Sequence, residues 1–386
     1  MLTLLVFIAI LAVLVLSHEW GHFIVARLNK IGVEEFGFGF PPRLIGIRRL
    51  KNKKGWEWVF GNKEVTPDPA TLYSINLIPL GGFVRIKGED GDADVAAEAD
   101  SFVSKKPWQK ASVLLAGVIM NALLAVILLS VAYMIGLPEA LAPGQAVPAG
   151  ANLQIVQVVA GMPAASAGIQ PGDVIEQVDN LQHPTVTDLQ QYVETHKNSL
   201  ISLTFERGQQ LLTVKLHPAI YPDTGKGGIG VALTEVVMLR YPWYQAAYHG
   251  TITTGVYFKE TILAFWYLIK GLFSGVGVAS EVSGPVGVAV MTGEAVHLGA
   301  VYVLQFMALL SLNLAILNAL PIPALDGGRL LFVIINKIRR QAVAARTERL
   351  VHAISFAVLM LLVLAITIHD VGTFHSEILA WFKRVL

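Results

Sequence analysis

The sequence predicts an α-helical membrane protein with four transmembrane helices, a membrane-associated β-rich loop and one extracytoplasmic α+β domain. Three observations support this fold class. Only 15% of the 386 residues are charged and 54% are hydrophobic, whereas soluble domains carry about 25% charged residues. Four apolar stretches are long enough to cross a bilayer of about 30 Å. Basic residues are concentrated in alternate connecting segments.

The four apolar stretches define the predicted transmembrane helices. We place these helices at residues 1–26, 111–137, 297–320 and 350–368. The first stretch resembles a signal peptide in hydropathy, but no basic residue precedes it and no small-residue cleavage site follows it. We therefore expect it to be retained as a helix.

The distribution of Lys and Arg orients these helices. The segment 27–110 holds 14 basic residues and the link 329–349 holds six, whereas the long segment 136–296 holds only seven. Positively charged loops stay in the cytoplasm. We therefore expect both chain termini and the 136–296 region to lie outside. The net charge of +1 gives no reason to expect a nucleic-acid partner.

The segment 27–110 is predicted to be a β-rich loop on the cytoplasmic side of the membrane. The stretches 34–40 and 76–87 mix aromatic and β-branched residues with glycines, a composition typical of strands that bend or approach another backbone. Residues 151–218 are predicted to form a separate small domain. Its expected elements are strands at 153–159, 201–207 and 211–216 and a helix at 186–196.

Three segments complete the predicted organisation. Residues 240–296 are expected to form an amphipathic helix at the outer membrane interface and a linker, with a fifth membrane span as the alternative. Residues 321–349 form a cytoplasmic link. Residues 369–386 are expected to form an amphipathic C-terminal tail.

The first predicted span contains His18-Glu19-Trp20-Gly21-His22. Histidines four residues apart lie on one face of a helix and can share one zinc ion. Glu19 lies beside that site, where a carboxylate can take a proton from water. The alternative for His18 and His22 is a pair of hydrogen-bonded core residues. Because ionisable groups at membrane depth are costly and rarely idle, we favour the zinc site.

A catalytic zinc normally has three protein ligands. The chain has no cysteine, so the third ligand must be a histidine or a carboxylate. Asp326 follows the third span, which runs from outside to inside and so ends at the depth of His22. Asp326-Gly327-Gly328 in isolation is typical of a turn. Together with the HEWGH sequence, it predicts that Asp326 completes a zinc site with His18 and His22.

Two motifs together resemble the signature of the site-2 proteases, the intramembrane zinc metalloproteases. They are HEWGH at 18–22 and NALPIPALDGG at 318–328, and the RseP-like branch is the most similar. Other blocks agree with that resemblance: GFGF at 37–40, LIPLGGFVRIKGED at 77–90, KPWQKASVLLAGVIMN at 106–121 and SGPVG at 283–287.

The resemblance implies a zinc metalloendopeptidase that cuts peptide bonds within transmembrane segments of single-pass proteins in the bacterial inner membrane. His18, His22 and Asp326 would hold Zn²⁺ near the cytoplasmic side, with Glu19 as the base. The usual substrates would be an anti-sigma factor or signal-peptide remnants, and the protein would be surrounded by membrane lipid. The strands at 36–46 and 77–87 would receive the substrate as an added strand.

Four further residues match family positions linked to substrate handling. They are Asn313, Asn318, Pro321 and Pro323. For Asn318, and likewise for Asn121, a hydrogen bond between two membrane helices is the alternative role.

Residues 163–180, PAASAGIQPGDVIEQVDN, resemble part of a bacterial PDZ domain, of which one copy is visible. Such a domain either excludes substrates with intact outer domains or recruits cut chain ends, and we favour exclusion. A catalytically inactive membrane PDZ scaffold is the alternative function for the whole chain. A metal transporter is less consistent with the sequence, because no inverted repeat is visible.

Overall fold

The computed structural model describes residues 2–50, 55–63, 70–89, 98–141, 148, 150–159, 161–197, 199–208, 210–220, 227–274, 283–341 and 343–375. The chain divides into two compact units. Unit 1 comprises Met1–Ser130, Ala247–Val296 and Val303–Leu386. Unit 2 comprises Val131–Ala246 and His297–Tyr302.

The helices in chain order are α1 (Leu2–Leu28), α2 (Pro107–Ile135), α3 (Pro163–Ser166), α4 (Val186–Thr195), α5 (Trp243–Ser274), α6 (Pro285–Leu298), α7 (Ala300–Ala319), α8 (Asp326–Arg339) and α9 (Ala345–Thr373). The strands are β1 (Val33–Arg49), β2 (Trp56–Phe60), β3 (Leu72–Ile86), β4 (Leu137–Ala140), β5 (Asn152–Val158), β6 (Val174–Val178), β7 (Leu181–Gln182), β8 (Ile201–Arg207), β9 (Gln210–Leu216), β10 (Ala219–Ile220), β11 (Gly227–Gly228) and β12 (Val231–Leu239).

Four helices of the described residues are long and apolar enough to cross a membrane: α1, α2, α7 and residues Arg346–Thr373 of α9. This confirms the predicted number of spans. The helix ends differ from the predicted ranges in both directions: α9 is longer at both ends, whereas α7 is shorter than 297–320 because His297 and Leu298 belong to α6. For example, α2 begins at Pro107 rather than 111, since the fixed φ and missing N–H of proline suit the first helical position.

Three of the spanning helices share one apolar core in unit 1. This core joins residues of α1, α2 and α7: Ile10, Leu14, Ala125, Leu128, Leu129, Met307, Ala308 and Leu312. By contrast, none of the residues in the most apolar 18-residue stretch of α9 is buried. Since lipid tails are as apolar as these side chains, an exposed apolar helix surface is what a bilayer tolerates.

The amphipathic helix expected within 240–296 corresponds to α5, which has 32 residues. Within unit 1, one face of α5 packs against α2 and α7. A Cβ on Gly250 would lie 2.4 Å from Ser130 Oγ of α2, and the Tyr257 hydroxyl accepts a hydrogen bond from the Gln305 amide of α7 at 2.8 Å. The opposite face carries exposed aromatic residues such as Trp266 and Tyr267. Its position at the membrane interface stays a prediction.

The β-rich loop of unit 1 is a three-stranded antiparallel sheet in the order β2-β1-β3. The long strand β1 pairs with both halves of β3, so that Phe36 lies opposite Val84 on one side and Tyr73 on the other. This leaves the second half of β3 at an edge of the sheet. That edge runs beside α1, and a shared core of residues including Ala26, Val33 and Ile86 anchors the sheet to α1 and α2.

Unit 2 is an α+β domain built on one sheet in the order β4-β12-β5-β6-β8-β9, with β7 paired to β6. Its core includes Ile155, Leu189 and Phe205. The sheet extends beyond the predicted range 151–218. β12 lies between β4 and β5, so strands on both sides of that range belong to the domain. β12 does not show the alternation of buried and exposed residues that is typical of a strand, since only Val236 of this strand is buried.

The predicted C-terminal tail at 369–386 is only partly visible. Helix α9 continues through Thr373 and therefore includes the start of that range. Residues 376–386 lie outside the described residues.

Candidate metal centre

Helix α1 brings His18 and His22 together one turn apart. Both are buried, with 7% and 6% of their surface exposed, and their Nε2 atoms are 3.1 Å apart. The close spacing follows from the helix itself, because side chains at i and i+4 lie one above the other. The first predicted pair of ligands therefore converges on one point.

Asp326 reaches the same point from the first turn of α8. Its Oδ2 atom lies 3.0 Å from His18 Nε2 and 3.2 Å from His22 Nε2. The approach is close because Gly327 and Gly328 fold back on the end of α7. A Cβ on Gly327 would lie 2.5 Å from the carbonyl oxygen of Ala319, the last residue of α7.

The segment before Asp326 is held by helix α9. The Ala324 N–H donates to Nδ1 of His352 at 2.8 Å. Ala324 has a φ of +87°, a conformation that a non-glycine residue adopts only at a cost. The hydrogen bond from Ala324 to His352 stabilises this turn and so helps to place Asp326.

The three ligand atoms fit a zinc ion. Their separations of 3.0, 3.1 and 3.2 Å form a nearly equilateral triangle. A tetrahedral site with bonds of about 2.0 Å separates its ligand atoms by about 3.3 Å. Two imidazole nitrogens and one carboxylate oxygen are also a donor set that catalytic zinc uses. The geometry and the chemistry of His18, His22 and Asp326 therefore agree.

Helix α2 forms the wall behind the histidines. His22 Nδ1 lies 2.8 Å from the carbonyl oxygen of Val113, so the ring donates there and leaves Nε2 for the site. One turn further on, Gly117 faces both rings. A Cβ at this position would lie 2.5 Å from His18 Cε1 and 2.6 Å from His22 Nε2. The space occupied by the imidazoles exists because residue 117 has no side chain.

Glu19 points to the edge of the sheet. Its Oε2 accepts a hydrogen bond from the backbone N–H of Val84 at 3.0 Å. Val84 lies in the second half of β3, opposite Phe36, so this N–H is directed away from the sheet. The edge strand and the predicted base are therefore in direct contact.

The other predicted site residues lie outside the cluster of ligand atoms formed by described residues. Asn313 and Asn318 are half-buried in the last two turns of α7, Pro323 is half-buried, and Pro321 is exposed. Both prolines lie in the connection between α7 and α8. Their role with substrate stays a prediction.

Sequence reasoning did not identify three contacts of the centre. The Val84 N–H, the space at Gly117 and the His352 hydrogen bond all depend on packing between segments distant in sequence. His352 gave a signal as a polar residue near the end of an apolar stretch. The glycines of the 77–90 block indicated close backbone approach, without naming α1 as the neighbour.

An HExxH helix and a distant carboxylate, converging among helices that can span a membrane, define a membrane-embedded zinc metalloprotease. The sequence model of Peptidase family M50 matches residues 6–62 and 63–362. The chain belongs to this family, the site-2 proteases.

Curated relatives agree with that assignment. A protein of Clostridium perfringens whose name describes it as a zinc metalloprotease is 33% identical over 360 residues, covering 93% of this chain and 95% of that protein. The regulator of sigma-W protease RasP of Bacillus subtilis is 28% identical over 451 residues, covering 96% of this chain and 98% of RasP.

Among solved structures, the PDZ domain of an SdrC-like protein from Listeria monocytogenes is similar to part of this chain. It is 18% identical, covers 23% of this chain and 92% of that domain, and has a TM-score of 0.20.

These findings confirm the predicted family, enzyme class and cofactor. The chain is an intramembrane zinc metalloprotease, a membrane protein that acts on transmembrane segments of other proteins.

We expect Gly117→Ala to weaken zinc binding by about tenfold or more, because the added methyl group collides with both histidines. Alanine is the better helix former by about 1 kcal/mol, so weaker binding would not reflect loss of helix α2. Chelator competition on the purified protein measures the effect.

Gly255→Ala in α5 is the matched control, because a Cβ there meets no atom within 4 Å. If Gly117→Ala binds zinc as tightly as Gly255→Ala, the proposed packing around the histidines is contradicted.

Proposed function

We propose that His18, His22 and Asp326 hold the zinc ion of this protease and that Glu19 is its general base. The observation that carries this proposal is the triangle of three ligand atoms, with sides of 3.0–3.2 Å, beside the carboxylate that follows His18 on the same helix. Burial of both histidines supports the proposal, since buried polar groups need partners.

The chemistry follows from these positions. When bound, zinc supplies a Lewis acid that polarises the scissile carbonyl and activates water for attack. Glu19 takes the proton from the attacking water and then gives it to the nitrogen of the leaving amine. Val84 holds the carboxylate of Glu19 through one oxygen, which leaves the second oxygen for this proton transfer.

The edge of β3 beside Glu19 is the surface on which we propose that the substrate is extended. A peptide bond inside a helix is shielded, and pairing with a sheet edge keeps the segment extended. The Val84 N–H lies on that edge and is taken by Glu19, so a substrate strand would pair with the other backbone groups of this edge. Asn313, Asn318, Pro321 and Pro323, at the end of α7 and in the connection that follows, are proposed to contact the extended segment.

The physiological substrates are proposed to be single-pass proteins of the bacterial inner membrane, such as an anti-sigma factor or signal-peptide remnants. The name of the Bacillus subtilis relative, regulator of sigma-W protease, supports the first class. Comparing membrane-protein fragments that accumulate with wild type and Glu19→Gln would identify the clients.

Unit 2 is proposed to be an extracytoplasmic PDZ domain that excludes substrates with intact outer domains. The zinc site is proposed to lie near the cytoplasmic side. The support for this orientation is the excess of Lys and Arg in the segments 27–110 and 329–349.

Replacing Glu19 with glutamine should abolish cleavage while leaving zinc in place. The amide cannot accept the proton from water, and general-base catalysis contributes about 10²–10⁴-fold. The measurements are zinc content and cleavage of a model single-pass substrate in reconstituted vesicles. His22→Ala is the control that should lose zinc as well. Normal cleavage by Glu19→Gln would refute the assigned role, and no cleavage by wild type would favour the scaffold alternative.

Val84→Pro should lower the cleavage rate by about 10- to 100-fold without changing zinc content. Proline removes the N–H that holds Glu19, and proline is tolerated where the N–H of an edge strand faces away from the sheet. Val84→Ala keeps the N–H and should cut at nearly the wild-type rate. Equal rates for the two variants would show that this hydrogen bond is dispensable.

The proposed orientation can be tested on single-cysteine variants, because the natural chain has no cysteine. Leu211 of unit 2 and Ile338 of α8 are 68% and 76% exposed. We expect a membrane-impermeant thiol reagent to label Leu211→Cys on intact spheroplasts and to label Ile338→Cys only after permeabilisation. Labelling of Ile338→Cys on intact spheroplasts, with labelling of Leu211→Cys only after permeabilisation, would show that the orientation is the reverse of the proposed one.

A further inference from the structure

Asn121 is a buried polar residue of α2 whose side chain meets the metal centre. None of its surface is exposed, and its Nδ2 atom lies 3.3 Å from His18 Nδ1. Among the described residues, its Oδ1 atom is buried without a hydrogen-bond partner. A buried polar atom without a partner costs about 1–3 kcal/mol, so a fully buried amide at this position needs a role that offsets this cost.

Zinc binding through Nε2 would determine the tautomer of His18, and with it the end of the Asn121 amide that faces the ring. A histidine that binds zinc through Nε2 carries its proton on Nδ1 and needs an acceptor there. An amide offers an acceptor at Oδ1 and donors at Nδ2, and a half-turn of the side chain exchanges them. When Oδ1 faces His18, the amide accepts a hydrogen bond from the Nδ1–H of His18. The Nδ2 atom of Asn121 then takes the buried position at which Oδ1 has no partner.

We propose that Asn121 is a positioning residue that accepts a hydrogen bond from His18 Nδ1–H and thereby directs Nε2 to the metal. This inference rests on the proposed assignment of His18 as a zinc ligand. It adds a function for Asn121 that differs from helix joining and from substrate binding.

The arrangement around His22 supports the proposal. His22 Nδ1 is bonded to the backbone oxygen of Val113, which is also part of α2. Val113, Gly117 and Asn121 are spaced four residues apart, so they form one stripe along the helix. In this stripe, Val113 supplies the acceptor for His22 and Asn121 supplies the acceptor for His18. Gly117, between them, leaves the space that both rings occupy.

A second contact of Asn121 separates its two possible roles. The Ser311 hydroxyl of α7 donates to the backbone oxygen of Asn121 at 2.8 Å. This bond joins α7 to α2 without using the Asn121 side chain. Removing it therefore tests helix joining, whereas changing the amide tests the orientation of His18.

The experiment measures the zinc affinity of the full-length protein in detergent by chelator competition, and the absorption spectrum of the Co²⁺-substituted protein. We expect Asn121→Leu and Asn121→Ala to bind zinc about 10- to 100-fold more weakly and to alter the Co²⁺ spectrum. Asn121→Asp retains an acceptor for Nδ1–H and should restore affinity to within about threefold of wild type. Ser311→Ala should bind zinc like wild type.

Wild-type affinity in both Asn121→Leu and Asn121→Ala would overturn the inference. So would a loss in Ser311→Ala equal to that in Asn121→Ala, or a failure of Asn121→Asp to restore binding. If Asn121→Leu does not fold, Asn121→Ala and Asn121→Asp still decide the outcome. Failure of the underlying zinc assignment is distinguishable, because His18→Ala would then bind zinc as tightly as wild type.

Discussion

The structure of this protease depends on the convergence of two imidazoles and one carboxylate from opposite ends of the chain. His18 and Asp326 are 308 residues apart in sequence, yet their ligand atoms are 3.0 Å apart. Buried groups of this kind are costly without partners, so the surrounding helices must hold them accurately. A bound zinc ion converts this cost into stabilisation, because metal binding free energy adds to folding free energy.

Each surrounding element provides one part of that accuracy. Helix α1 sets the spacing of the histidines, and the stripe Val113–Gly117–Asn121 of α2 sets the orientation of their rings. The turn between α7 and α8 delivers Asp326, and its hydrogen bond to His352 fixes the turn to α9. The edge strand β3 holds Glu19. The same sheet that positions the proposed base is therefore suited to present an extended substrate.

The sequence predicted the parts of this arrangement that follow from periodicity and topology. The i, i+4 spacing of His18 and His22 placed them on one helix face, and the alternation of spans brought Asp326 to the same depth. Four spans and a β-rich loop followed from hydropathy and composition. The role of Gly117 and the Val84 hydrogen bond could not be predicted, because a single sequence does not reveal which backbone packs against which. The same limit applies to β12, which joins the sheet of unit 2 although only one of its residues is buried.

Zinc K-edge X-ray absorption on the purified protein tests the central claim most directly. Scattering from two imidazole rings and from oxygen ligands at about 2.0 Å is expected for wild type, and Asp326→Ala should change the oxygen shell while keeping both imidazole signals. A spectrum without imidazole scattering, or one that is identical in wild type and Asp326→Ala, would contradict the account.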